Sequence, residues 1–154
     1  MATDARSSGG GSWLPRVWGP LALVLVALAV RIAVLSASRP DNMSPDAAHF
    51  LNVARCVSRG EGFSNSAAWP AWLSPGRLPA PETFKDPGYP YAIAGMGALT
   101  GDLFLAGQLV SLLCGVLLPL ALYRLGHRLT GDRTVALVAG LLTAGSPELI
   151  AQSV

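Results

Sequence analysis

Asp46 is the side chain whose surroundings best suit chemistry, and it stands in the stretch 44–63, SPDAAHFLNVARCVSRGEGF. A carboxylate beside a hydroxyl can orient it and take its proton as a new bond forms, the work of a general base. Ser44 can cap a helix through its hydroxyl, Pro45 suits the first helical position, and Asp46 follows in the first turn, where unpaired N–H groups and the dipole favour negative charge. Phe50, Leu51, Ala54 and Val57 then form one apolar stripe, and Gly60 and Gly62 can end the helix and turn the chain. The spacing predicts a surface helix over 45–59 with a carboxylate at its tip. On residue chemistry alone the plainer reading of Asp46 is a helix-end charge, stabilising by about 0.3–1 kcal/mol.

Other groups could join it. His49 lies one turn after Asp46 on the same face and could bond it or help hold a metal ion, although a solvent-facing histidine is the plainer reading. Lys85 and Arg77 are candidate phosphate contacts, against the tendency of loop cations to face water. Tyr89 and Tyr91 could pack on a sugar or a lipid, or serve as interfacial anchors. Asp41, in an Arg-Pro-Asp-Asn turn, reads as solvated.

The elements that must position these groups are membrane elements. Half of the 154 residues are apolar and only 13% are charged, which with a positive mean hydropathy fits a helical membrane protein better than a soluble domain. A net charge of +2 gives no reason to expect nucleic acid. Cys56 and Cys114 lie in different environments and so are not expected to pair, and without a CxxC or a His/Cys cluster a zinc site has no support.

Residues 1–17 read as a flexible tail, with Trp13, Arg16 and Trp18 as an interfacial anchor where it meets the first span. Residues 18–38 are about as long as the ~20 residues a spanning helix needs. A signal peptide is the competing reading of this segment, with Ser36-Ala37-Ser38 as its cleavage site; Arg31 inside the apolar run and a second span downstream speak against it. Arg31 sits in the last third of the span, within snorkelling reach of the interface. It is either an anchor or a cation facing a phosphate-bearing lipid head.

Residues 39–102 form a long loop carrying the surface helix, a proline-rich run including 69–76, and a tight turn at 85–90 leading to an interfacial segment 91–99 too short to span. Residues 103–123 read as the second span, 124–133 as a short basic loop with a solvated His127, and 134–154 as the third span. Arg6 and Arg16 with Arg124, Arg128 and Arg133 put the tail and the short loop on the cytoplasmic side, and so the long loop outside. The expected fold is an all-α integral membrane protein of about three transmembrane helices, with a long extracytoplasmic first loop carrying interfacial helices.

The order of these parts resembles the N-terminal end of the GT-C glycosyltransferases that use polyprenyl-phosphate-linked sugars, the group that includes protein O-mannosyltransferases and aminoarabinose transferases. Arg31 late in the first span, then Asp46, Phe50, Ala54, Gly60, Gly62 and Phe63, are similar to the family's D-x-x-x-Y/F-x-x-x-A, Gly-x-Gly-Phe/Tyr pattern. Pro87-Gly88-Tyr89-Pro90 is similar to its P-P-G-Y-P turn, with Asp86 in place of the first proline. Leu122-Tyr123-Arg124-Leu125 and residues 136–147 are similar to its second and third spans.

The resemblance implies a multi-pass protein of the plasma (bacterial inner) membrane that moves a sugar from a polyprenyl-phosphate donor to an acceptor outside. Asp46 becomes the catalytic base, with Arg31, His49, Lys85 and Tyr89 as substrate contacts. In some members the equivalent acid also holds a divalent cation, which makes Asp46 a candidate metal ligand. Ala47 stands where many members have a second acid, and the family's later functional acid would fall beyond Val154, so this stretch by itself is not expected to turn over. A non-catalytic membrane binding or assembly protein is the alternative. Transport is disfavoured by the lack of an acidic residue deep within a span and of an inverted repeat.

Overall fold

The computed structural model describes residues 14–37, 43–67 and 77–151. The expectations for the tail with Trp13 and the Arg16 side chain, for Asp41 and for the proline-rich run 69–76 fall outside the described residues and side chains. The chain is mostly helical: α1 Leu14–Ala37, α2 Pro45–Ser58, α3 Gly88–Thr100, α4 Leu103–Thr130, α5 Arg133–Ala144 and α6 Pro147–Ala151. One small departure from an all-helical chain is a two-residue antiparallel ladder, β1 Ser64–Asn65 with β2 Ala80–Pro81.

Among the described residues, two helices are long and apolar enough to cross a membrane, Trp18–Ala37 of α1 and the whole of α4. Their outer faces carry exposed Leu21, Leu25, Ile32, Leu113 and Leu117, a surface that suits lipid better than water. They pack against each other and against α5 through small or shape-matched residues. Gly140 of α5 is one: a Cβ built there would lie 2.8 Å from Leu23 Cδ1 of α1 and 3.3 Å from the Pro119 carbonyl oxygen of α4. Leu23, Tyr123 and Ala136 are the buried residues at this three-helix junction, with Leu137 packed on them.

The helix ends differ from the sequence expectation in three places. α4 does not stop at Tyr123 but continues to Thr130, 28 residues in all, so the basic residues expected in a loop over 124–133 instead decorate a helix. His127 lies in its last turn, half-buried and stacked on Tyr123 with ring centroids 6.3 Å apart, rather than solvated in a loop. Thr130-Gly131-Asp132 makes the turn, and it repeats Thr100-Gly101-Asp102 between α3 and α4. In both, the glycine takes positive φ, 70° and 75°, and the aspartate caps the next helix. A left-handed glycine after a helix and an aspartate before the next is a strong stop-start signal.

The third apolar stretch is also not one continuous helix. α5 ends at Ala144 after 12 residues, about 18 Å of helix against a hydrocarbon core of ~30 Å. Gly145 and Ser146 break the run, because Pro147 supplies no N–H and disfavours helical backbone in the residue before it. Finally, the interfacial segment begins at Gly88 rather than Tyr91: α3 absorbs the Pro-Gly-Tyr-Pro turn, with the Tyr91 N–H donating to the Pro87 carbonyl at 3.1 Å.

α2 lies on α3, and α3 on the first turns of α4, around buried Ala54, Ile93 and Ala106 with Phe50, Leu51 and Leu103 packed against them. The short ladder then brings residues 80–85 back beside α2. Its register, Ser64 opposite Pro81 and Asn65 opposite Ala80, continues with the Glu82 N–H donating to the Phe63 carbonyl at 3.0 Å. Asn52 holds the other strand, its Oδ1 accepting from both N–H and Oγ–H of Ser66 at 3.0 Å.

Candidate active site

Asp46 enters the site as the second residue of α2. Ser44 is the N-cap, its Oγ accepting from the Ala47 N–H at 3.1 Å, so the helix start does not depend on Asp46. The Asp46 side chain is 72% exposed, and its Oδ1 accepts from the Lys85 Nζ at 2.7 Å. Lys85 is held more firmly, at 23% exposure, with its ammonium 4.9 Å from the centre of the Phe50 ring. The ladder therefore brings together two groups thirty-nine residues apart, a carboxylate and a cation.

His49 is buried, not solvent-facing, and its partner is not Asp46. Its Nε2 lies 2.5 Å from Glu82 Oε2, with both side chains about 5% exposed. Asn65 donates to the same carboxylate oxygen at 3.5 Å. The other oxygen, Glu82 Oε1, accepts the backbone N–H of Phe84 at 2.7 Å and of Lys85 at 3.3 Å. Glu82 thus fastens the 82–85 turn to α2 and fixes where Lys85 starts. Sequence reasoning missed Glu82. The visible signal was the separation of one turn between Glu82 and Lys85, but only the ladder shows that His49 stands opposite.

Asp46, His49, Asn65, Glu82, Phe84 and Lys85 line one groove of about 480 Å³. Burial pushes the Glu82 carboxyl up, but the Phe84 N–H, His49 and the Lys85 N–H outweigh it and hold the group below its ordinary value of 4.5. A lowered carboxylate value means that Glu82 stabilises the fold fully above that ordinary value, and loses the contribution as pH falls through the lower folded one. Glu82→Gln should therefore cost about 1–3 kcal/mol near neutrality. In denaturant titrations of the detergent-solubilised protein, that gap should close on acidification below the ordinary glutamate range. A gap independent of pH would show that the charge of Glu82 does not hold the turn.

The remaining expected site residues do not line this groove. Tyr89 does not line it: its ring meets Phe50 edge-on, with centroids 5.0 Å apart, and its hydroxyl bonds Ser111 Oγ at 2.7 Å and donates to the Gly107 carbonyl at 3.3 Å. Tyr91 stacks on Phe63 at 6.0 Å. Arg31 is fully buried in α1 and lines a separate cavity with Tyr89. Arg77 is exposed.

For a metal ion the donor set is poor. Among the described residues no three His, Cys, Asp or Glu side chains cluster, and the charged neighbour of Asp46 is an ammonium, which repels a dication. What the groove offers is a carboxylate able to take a proton, a cation able to meet an anion, and a buried imidazole–carboxylate pair that fixes both walls.

Residues 81–154 match the family described as dolichyl-phosphate-mannose-protein mannosyltransferase. The matched stretch takes in Glu82, Lys85 and Tyr89 and runs through α3 to α6, while Arg31, Asp46 and His49 precede it. The second half of the chain is thus similar to a family of membrane glycosyltransferases. Neither the curated proteins nor the solved structures yield a match.

Proposed function

We propose that this chain carries the donor-side groove of a membrane glycosyltransferase, one that moves a sugar from a polyprenyl-phosphate donor to an acceptor on the extracytoplasmic face of the plasma membrane. The observation that carries the reading is the meeting of Asp46 and Lys85 at 2.7 Å in one groove beside two apolar helices. It is supported by the family likeness that begins at Pro81 and includes Lys85. With the tail cytoplasmic, as its basic residues favour, the groove faces outward.

The acceptor oxygen attacks the anomeric carbon, the bond from that carbon to the phosphate oxygen breaks, and polyprenyl phosphate leaves with the electron pair. Asp46 orients the acceptor hydroxyl and takes its proton as the bond forms. Lys85 meets the charge that grows on the departing phosphate. Without substrate the two satisfy each other. An exposed ion pair contributes only about 0–1 kcal/mol, so a phosphate can claim the ammonium at little cost and leave the carboxylate turned toward the acceptor. His49 and Glu82 act through position, holding the wall from which Lys85 projects.

Membranes containing the protein as the cell makes it should transfer labelled sugar from a synthetic polyprenyl-phosphate sugar, and should not do so from the corresponding nucleotide sugar. Transfer from the nucleotide sugar alone would exclude the proposed donor class.

A further inference from the structure

Phe84 lines the groove between Thr83 and Lys85, and the proposed reaction leaves it unused. At 76% exposure it is the barest aromatic residue among those described. Within that set its ring meets no other, whereas Phe50 and Phe63 pair with Tyr89 and Tyr91. A single exposed phenylalanine would need no explanation on a loose loop. This one stands on a fixed backbone. Its N–H donates to Glu82 Oε1 at 2.7 Å, the Lys85 N–H donates to the same oxygen at 3.3 Å, and Glu82 is tied in turn to buried His49. The ring is bare while the turn beneath it is pinned, so little freedom is left to lose when something covers it.

A membrane anchor is the plainer use of such a ring, and its neighbours speak against it. Lys85, the next residue, is bonded to Asp46, whose side chain is 72% exposed. Sinking Phe84 into hydrocarbon would draw that hydrated ion pair toward it, and desolvating two charges costs more than burying one phenyl ring returns. The ring therefore faces the contents of the groove. At about 480 Å³ the groove has the size of a small-molecule site, and an apolar surface beside a few polar groups is the usual lining of one.

We infer that Phe84 is the platform on which the donor's sugar ring lies, its C–H face against the phenyl ring, while the attached phosphate meets Lys85. The inference rests on the proposed donor. A pyranose carries hydroxyls around its rim and C–H bonds on its faces, and those hydrogens are drawn to the negative face of an aromatic ring. Adjacent positions in one pinned turn place platform and ammonium on the same wall, as a sugar and the phosphate bonded to it require. Tyr89 and Tyr91, the aromatics that the sequence offered for this contact, are engaged with Phe50, Ser111 and Phe63 instead. Phe84 binds and orients the ring and exchanges no proton.

The Phe84 side chain is exposed and the turn uses only its backbone N–H, so substitutions there should leave the fold intact. Phe84→Ala should raise the donor KM by about tenfold or more with kcat within about threefold, the pattern of a lost binding contact. Phe84→Leu should resemble Phe84→Ala, and Phe84→Tyr should resemble the unsubstituted protein. Binding is read separately in Phe84→Trp, against the background of the unsubstituted protein's four tryptophans. The ligands are short-chain polyprenyl phosphates carrying mannose, glucose or arabinose. At least one should shift the emission of the added indole, and the same polyprenyl phosphate without a sugar should not.

An unchanged KM in Phe84→Ala, or full recovery by Phe84→Leu, would overturn the inference, because an aliphatic chain can anchor but cannot stack. So would an emission change that the sugar-free lipid reproduces, or none with any of the three sugars. Sugar transfer unaffected by Phe84→Ala removes the platform and leaves the reaction. A sugar-dependent emission change in a protein that transfers nothing keeps the platform and removes the reaction.

Discussion

Asp46→Asn should lower sugar transfer by roughly 10²–10⁴-fold, the usual contribution of a positioned general base, while the protein accumulates in the membrane as before. The two halves of this expectation rest on different contacts. Asparagine keeps the shape of the side chain but cannot take a proton. The start of α2 is held by Ser44 rather than by Asp46, so the helix persists. What the fold loses is an exposed ion pair with Lys85, about 0–1 kcal/mol, and a first-turn charge worth a similar amount. Asp46→Glu retains the carboxylate but moves it by one methylene, and should recover part of the rate. Transfer by Asp46→Asn within about threefold of the unsubstituted protein would remove Asp46 from the chemistry. Loss of the protein from the membrane would instead make it a structural residue.

How far the site could be read beforehand depends on whether its signals are local. The start of α2 was legible because Ser44, Pro45 and Asp46 each act within one turn, and its end because Gly60 and Gly62 both adopt φ of 75°. The two apolar helices were legible from length and hydropathy. The Thr-Gly-Asp turns are equally local, and their left-handed glycine and aspartate cap, rather than the run of basic residues after Tyr123, mark where α4 stops. The end of α5 was likewise written in Gly145 and Pro147, but apolar composition alone carried the expectation onward.

The partner of His49 was not legible at all. His49 and Glu82 are thirty-three residues apart and meet only because Ser64 and Asn65 pair with Pro81 and Ala80. A ladder of two residues has no hydrophobic alternation long enough to be read as a strand. The same ladder brings Lys85 to Asp46. The side chains of Asp46, His49 and Lys85 are legible for what each can do, but nothing local in the sequence shows that Lys85 pairs with Asp46 and Glu82 with His49.

The pairing of Lys85 with Asp46 sets up the second large effect. Lys85→Met should reduce turnover by about 10²–10³-fold, the cost of removing one electrostatic contact to charge that develops in the transition state. Stability should change little: the exposed ion pair is weak, the ammonium's position over the Phe50 ring is worth about 0.5–1 kcal/mol, and methionine still covers that ring. The Lys85 backbone N–H, which Glu82 uses, is untouched. Lys85→Arg restores a cation of different shape and should recover part of the loss.

Combining Lys85→Met with Asp46→Asn provides the stricter test, because residues in contact do not contribute independently. If the donor phosphate draws Lys85 away and so frees Asp46 for the acceptor, removing the cation also misplaces the base, and the double variant should be much less impaired than the product of the two single losses. Full multiplicativity of the two losses in turnover would mean that carboxylate and ammonium act without reference to each other, and their 2.7 Å contact would then be an ordinary surface ion pair.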